Sequence, residues 1–385
     1  MYTRRKFIGS TLAITAGCRK RKASGFPGYA FVANQEGQAV AAVDLTVFAV
    51  ARHIRLAGRP ASVITHPRLS VVYALTPETG TVHEIRSDTL AFSRKLPVAG
   101  SAVSMRLSPD ARHLYVLCRE PRKLVRIAVE RFQADWQVTL PAAPIAFDID
   151  GQNKFIAISY GPERILSLIM PSLMTPGSQA GRPIRTGGDT GIVRFQRDGT
   201  QLITANLSER MLSIYQVSSG KLMVNLPLAV RPDHLCFNSD GGQLFVTGEG
   251  GDAVVVVFPY YTPYVAETVL AGHAPAAMAS TFSVPPTVPQ YLFVANPKSG
   301  DVSILDITAR SVIAVTPVGA EPGQIILTPD DQYALVLNQG SGDMAVLRLA
   351  NIMRAASDFR RSRKGPIFMM IPVGSKPVSA AILPM

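Results

Sequence analysis

Cysteine is scarce in this 385-residue chain, with three in all, so no disulfide framework can hold it together. Tryptophan occurs once and aromatics make up only 7% of the residues. Charged residues are also sparse, at 17%, while 47% of the chain is hydrophobic, which excludes a disordered protein. No run of 18 or more apolar residues occurs, which excludes a multi-spanning helical membrane protein. The 30 glycines and 29 prolines are only modestly above usual proportions, so collagenous and low-complexity chains are excluded too. What remains is a chain long enough to bury at least one large core.

The net charge of +12 is the one extreme value, and its placement decides its meaning. The first 22 residues hold Arg4, Arg5, Lys6, Arg19, Lys20, Arg21 and Lys22 and no acid. Residues 354–364 hold Arg354, Arg360, Arg361, Arg363 and Lys364 against Asp358. Nearly all of the excess lies in these two segments, and the body of the chain is close to neutral. No basic stripe with interleaved aromatics runs along it, so a nucleic-acid partner is not expected.

The basic start Thr3-Arg4-Arg5-Lys6 is followed by an apolar stretch from Phe7 to Gly17 and then by Cys18. Eleven helical residues reach about 16 Å, roughly half a bilayer core, so the stretch suits a signal h-region and not a stable span. Arg4-Arg5 before Phe7-Ile8 resembles a twin-arginine export signal. Ala16-Gly17-Cys18 resembles a bacterial lipoprotein cleavage site, although Thr15 stands where a leucine is usual. These resemblances imply an exported protein, periplasmic or tethered to the membrane through a lipidated Cys18. The basic segment 354–364 suits contact with an anionic membrane surface, and it equally suits a solvated loop.

Internal repetition organises the rest. Apolar segments recur at Tyr29–Asn34, Val71–Thr76, His113–Cys118, Lys154–Ser159, Gln201–Asn206, Gln243–Gly248, Tyr291–Asn296 and Tyr333–Asn338, with a period near 42. Turn residues precede them: Ser108-Pro109-Asp110, Asp150-Gly151, Asp198-Gly199, Asp240-Gly241 and Pro329-Asp330. A helical period is confined to Leu349 to Phe359. Four β-type segments per unit at this spacing predict an all-β propeller of four-stranded blades. Eight second strands predict eight blades, with seven as the alternative. The chain enters on a second strand, and Val378–Leu383 supplies the missing innermost partner, so pairing of the N- and C-terminal strands is expected to close the ring.

Residues 290–348, with YLFVAN, GDVSILDI and YALVLN, resemble the YVTN-type β-propeller repeat of exported bacterial proteins. The resemblance extends over most of the chain and is best in the first and seventh units. It implies an export signal at 1–17, a linker at 18–28 and one propeller domain at 29–385. Related propellers include the lactonase group and the haem domain of some nitrite reductases.

Motifs that carry chemistry are few. Gly248-Glu249-Gly250-Gly251-Asp252-Ala253 fits a dinucleotide-binding pattern, but Val254–Phe258 reads as a strand where that motif needs a helix. Asp148-Ile149-Asp150-Gly151 looks like part of a calcium loop, yet it reads as a hairpin turn without the downstream glutamate. Cys118 and Cys236 fall on strands of different blades, too far apart to pair. Trp136 reads as packing at an outer strand. Among the histidines, His53, His83 and His113 lie within strands and His66 in a turn. His234 and His273 lie where the chain enters an innermost strand.

Such entries surround one channel mouth, and the side chains expected there are Arg59, Ser101, Asp189, Arg231, Asp233, His234, His273, Glu321, Gln324 and Lys376. Mixed charge around a concave opening suits a small ligand, and it equally suits a wet rim. Turns carrying Arg119 and Glu120, Glu163 and Arg164, Glu209 and Arg210, and Lys298 and Asp301 share that face. No nucleophile–base arrangement is legible, so no catalytic residue, cofactor or metal is assigned. The resulting expectation is a monomeric binding scaffold serving an unidentified envelope protein or small ligand. The alternatives are a lactonase-like hydrolase at the mouth and a cofactor-binding redox propeller.

Overall fold

The second-strand segments are apolar at nearly every position, not at alternate ones, which demands burial on both faces. They receive it: Gln201–Asn206, Tyr291–Asn296 and Tyr333–Asn338 are buried throughout. Each lies between a first and a third strand of an antiparallel sheet, and a fourth strand covers the outside. A computed structural model describes residues 25–173, 180, 183–283, 289–352 and 367–385.

Eight such four-stranded sheets form the blades of a propeller. Their innermost strands are Pro377–Pro384, Ser62–Thr65, Ser101–Leu107, Ala146–Ile149, Thr190–Phe195, His234–Phe237, Met278–Ser280 and Pro322–Leu327, for blades 1 to 8. Each innermost strand touches the next all the way round, so the sheets form a closed ring. Eight apolar clusters occupy the eight blade interfaces. One joins Tyr333, Leu335 and Met344 of blade 8 to Ala30, Val32 and Ala41 of blade 1. Both faces of every blade are thereby removed from water, at about 25 cal/mol per Å² of apolar surface.

The predicted strand phases hold to within two residues: the second strands of blades 4 and 6 begin at Ile156 and Leu244. Ring closure is as expected. Pro377–Pro384 pairs antiparallel with Gly28–Asn34, from Gly28 opposite Pro384 to Asn34 opposite Pro377. In seven blades a β-bulge interrupts the pairing of third and fourth strands, as between Ala42 and Val43 or between Ile304 and Leu305. A bulge adds local twist, which turns each outer strand away from its neighbours. In blade 4 the described residues of the fourth strand are Ile184–Arg185.

Candidate functional site

Antiparallel pairing puts the start of each first strand beside the end of the second, as with Ser62 opposite Leu75. The entries into the innermost strands therefore share one end of the ring with the turns between second and third strands. Their charges pair locally. Arg59 Nη1 lies 3.7 Å from Glu78, and Lys376 Nζ lies 3.7 Å from Glu36. Arg164 bridges Asp189 at 3.2 Å and Glu209 at 3.5 Å. Arg231 reaches Asp233 at 2.8 Å and Glu249 at 2.7 Å. His273 Nδ1 sits 3.0 Å from Asp252, whose carboxyl is held below its usual range chiefly by the backbone N–H of Ala274 and then by His273. Exposed pairs of this kind are screened by water and salt, so their effect is to orient the rim more than to stabilise the fold.

Inside this rim, an axial cavity of about 880 Å³ is lined by His234, Glu321 and Gln324, with Lys298 and Gln339 from adjoining turns. Gln324 Oε1 accepts the backbone N–H of Ala380 at 2.6 Å, which fixes its side chain. Glu321 holds a left-handed backbone, φ +53°, and its carbonyl accepts the N–H of Gln339. Burial lowers the pKa of His234 against the opposing pull of Asp233, which keeps the imidazole neutral near pH 7. Arg59, Asp189, Arg231, Asp233, His273 and Lys376 do not line this cavity; they belong to the rim around it. Ser101 opens the first strand of blade 3 beside a register shift.

A second constellation escaped the sequence reading. Asp148, read as part of a hairpin turn, lies instead on the strand Ala146–Ile149 of blade 4. The strand stays paired through Ile149, and the turn begins at Asp150, whose carboxylate accepts the backbone N–H groups of Lys154 and Phe155. Asp148 Oδ2 accepts the backbone N–H of Phe195 at 2.9 Å, and Oδ1 lies 3.4 Å from Arg106 Nη1. Arg106 Nε donates to the carbonyl of Phe147 at 2.9 Å. Arg194 of blade 5 joins them along a channel cavity of about 580 Å³ walled by the first strands of blades 2 to 5. A signal for this cluster exists in the repeat phase. Arg106, Asp148, Arg194 and Cys236 pair with Tyr115, Ala157, Ile203 and Phe245, which occupy one shared position in successive second strands.

Among the described residues no three His, Cys, Asp or Glu side chains converge to hold a metal ion. Gly248–Asp252 forms a blade turn leading into the strand Ala253–Phe258, so no helix end is there to receive a pyrophosphate. Cys118 is buried and its thiol is pushed up to about 12, chiefly by burial, which makes it an apolar packing group. Trp136 is buried on the outer strand of blade 3. Arg4, Arg5, Cys18 and the basic segment 354–364 lie outside the described residues.

Comparison with known proteins agrees with this architecture. No family model matches the chain. A seven-bladed beta-propeller protein of Mycobacterium tuberculosis, Rv1057, is 26% identical over 136 residues, and the match spans about a third, 34%, of each chain. Among solved structures, the dihydro-haem d1 dehydrogenase NirN, in complex with DHE, superposes with a TM-score of 0.70 at 13% identity, over 95% of this chain and 78% of that one. Apo AztD from Citrobacter koseri gives 0.68 at 13% identity, over 93% and 98%. What these likenesses share with this chain is the β-propeller ring, and at such identities the fold is what they establish.

Proposed function

We propose that this chain is an exported β-propeller of the YVTN-repeat type that acts as a rigid binding scaffold in the periplasm or cell envelope. It takes a small ligand, or a projecting segment of an envelope protein, at the channel mouth. The observation that carries this reading is the convergence of His234, Glu321, Gln324 and Lys298 on one axial cavity inside a rim of mutually paired charges. Gln324, held by the N–H of Ala380, and the mutually paired rim charges present a preorganised surface and lose little freedom on binding. Export through Arg4 and Arg5 and acylation at Cys18 would place the ring at the membrane, consistent with the concentration of positive charge in residues 1–22.

The Asp252–His273 contact favours a second reading, hydrolysis at the mouth, because a carboxylate 3.0 Å from an exposed imidazole orients a general base. One set of experiments separates the two. Full-length protein, His234→Ala and His273→Ala are purified, analysed by mass spectrometry for co-purifying small molecules, and assayed on simple lactones. A retained ligand lost in His234→Ala, with no turnover, supports the scaffold. Lactone turnover abolished by His273→Ala with unchanged Tm overturns it in favour of the hydrolase. Fractionation of cells expressing the wild type, Arg4→Lys/Arg5→Lys and Cys18→Ala tests the address. Unaltered distribution of all three would remove the export argument.

A further inference from the structure

We propose that the channel cavity walled by blades 2 to 5, which shares no lining residue with the cavity at His234, is a binding site for a small organic monocarboxylate with an apolar body. Its head would sit on Arg194 and its body along the channel wall. The argument starts from unequal pairing of the three charges in that cavity. Arg106 and Asp148 satisfy each other: Asp148 receives both Arg106 and the backbone N–H of Phe195, and Arg106 also donates to Phe147. Among the described residues Arg194 has no carboxylate within salt-bridge distance. Among the described residues its one hydrogen bond is from Nη1 to the carbonyl of the preceding Val193 at 3.0 Å, which leaves the rest of a five-donor fork unspent there. The lining therefore carries one surplus positive charge, since Arg106, Arg194 and Asp148 are its charged members.

That surplus charge costs the fold something. Burial, with Arg106 beside it, lowers the pKa of Arg194 to about 10 despite the opposing Asp148. Cys236 on the next innermost strand cannot neutralise it, because burial pushes that thiol up to about 11 and keeps it protonated. A cationic fork kept in a partly enclosed cavity whose one carboxylate is already paired to another arginine is the state that an incoming anion relieves. Guanidinium geometry favours a planar, two-oxygen anion held bidentately.

The rest of the wall defines what is attached to that head. Val103, Ile145, Phe147, Ile149 and Ile192 line the same cavity, whose volume of about 580 Å³ exceeds what a bare inorganic ion needs. Pro109, in the turn after the first strand of blade 3, also lines it, so it extends to the end of the channel opposite the mouth. One anionic group, one apolar body and one planar head together describe a monocarboxylic acid.

The test is titration of the folded full chain with hexanoate, acetate, sulfate and hexylammonium, followed by calorimetry and thermal shift. Hexanoate is expected to bind and raise Tm, acetate to bind more weakly, and hexylammonium not to bind. Arg194→Met should weaken hexanoate by about tenfold or more, the usual worth of a charge-assisted hydrogen bond, while Arg194→Lys should weaken it less. His234→Ala, at the mouth, should leave it unchanged, which separates this site from the proposed function. Equal binding of hexanoate to wild type and both Arg194 variants would overturn the proposal. So would sulfate binding as tightly as hexanoate, because the site would then be one for an inorganic anion. If Arg194→Met fails to fold by circular dichroism, Arg194→Lys and the hexanoate-to-acetate ratio decide alone.

Discussion

His83, His113 and His234 are each held below the ordinary histidine pKa, in every case first by burial. For His83 the cation of Lys95 adds to it, and the ring meets Thr76 Oγ1 at 3.2 Å inside blade 2. A base whose folded pKa is depressed binds protons more readily in the unfolded chain. Its contribution is therefore intact above the unfolded value of about 6.5 and is lost as pH falls through the folded pKa. We expect Tm to fall between pH 7 and pH 5. His83→Asn should flatten that slope while lowering Tm at pH 7; a slope unchanged by the substitution would show that His83 does not titrate there. Residue identity alone left these roles open. A strand histidine is visible in the sequence, but which face it turns to the core depends on register. Arg194 was hidden for the same reason: it looks like any polar strand residue until the ring puts Arg106 beside it, with Asp148 near but already paired to Arg106.

At the scale of the strand and turn, the repeat is carried by backbone geometry as much as by side chains. Six of the turns between third and fourth strands place one residue in the left-handed region, φ 54° at Phe48, 49° at Leu90, 51° at Phe132, 64° at Gly220, 54° at Tyr261 and 53° at Arg310. Only one of the six is glycine, so five side chains bear a local cost of about 1–2 kcal/mol. Tyr261 is 96% exposed, so its ring gains little from packing. Tyr261→Gly is expected to stabilise the protein by roughly 0.5–1 kcal/mol, with the loss of strain outweighing the added freedom of the unfolded chain. Gly220→Ala should do the reverse, since its φ is +64° and a Cβ would approach Ile184 Cδ1 to 3.0 Å. Chemical denaturation measures both, and a destabilised Tyr261→Gly would show that the ring packs usefully. The fold itself was legible at this scale because second strands such as YLFVAN must be buried on both faces, and eight of them at one period have few other arrangements. The bulges were not legible, because an extra residue in a fourth strand leaves no compositional mark.

For the whole molecule, stability depends on how the ring is fastened. Blades contact only their neighbours, so an open array would fray from its ends. The last strand prevents this by binding three blades at once. It pairs with Gly28–Asn34 of blade 1, and Ser379 Oγ accepts the N–H of Val63 from blade 2 at 3.3 Å. Thr65 Oγ1 of blade 2 donates to the carbonyl of Ile382 at 2.9 Å, while Ala380 N–H donates to Gln324 of blade 8. Ala380 also packs into the cluster between blades 8 and 1, and Val378, Ala381 and Leu383 pack against the one between blades 1 and 2. Removing residues 377–385 would leave the edge of Gly28–Asn34 unpaired along its length and open two apolar interfaces together. Such an edge is a template for pairing with another chain. The truncated protein is therefore expected to melt at lower temperature in a broader transition and to self-associate on size-exclusion chromatography. Ala380→Asp, which places one charge in the same seam, should lower Tm without exposing the edge and should remain monomeric. If the truncation instead melts as sharply and as high as the full chain, the blades hold the ring without a clasp. The closing strand would then contribute shape to the channel but no cooperativity to the fold.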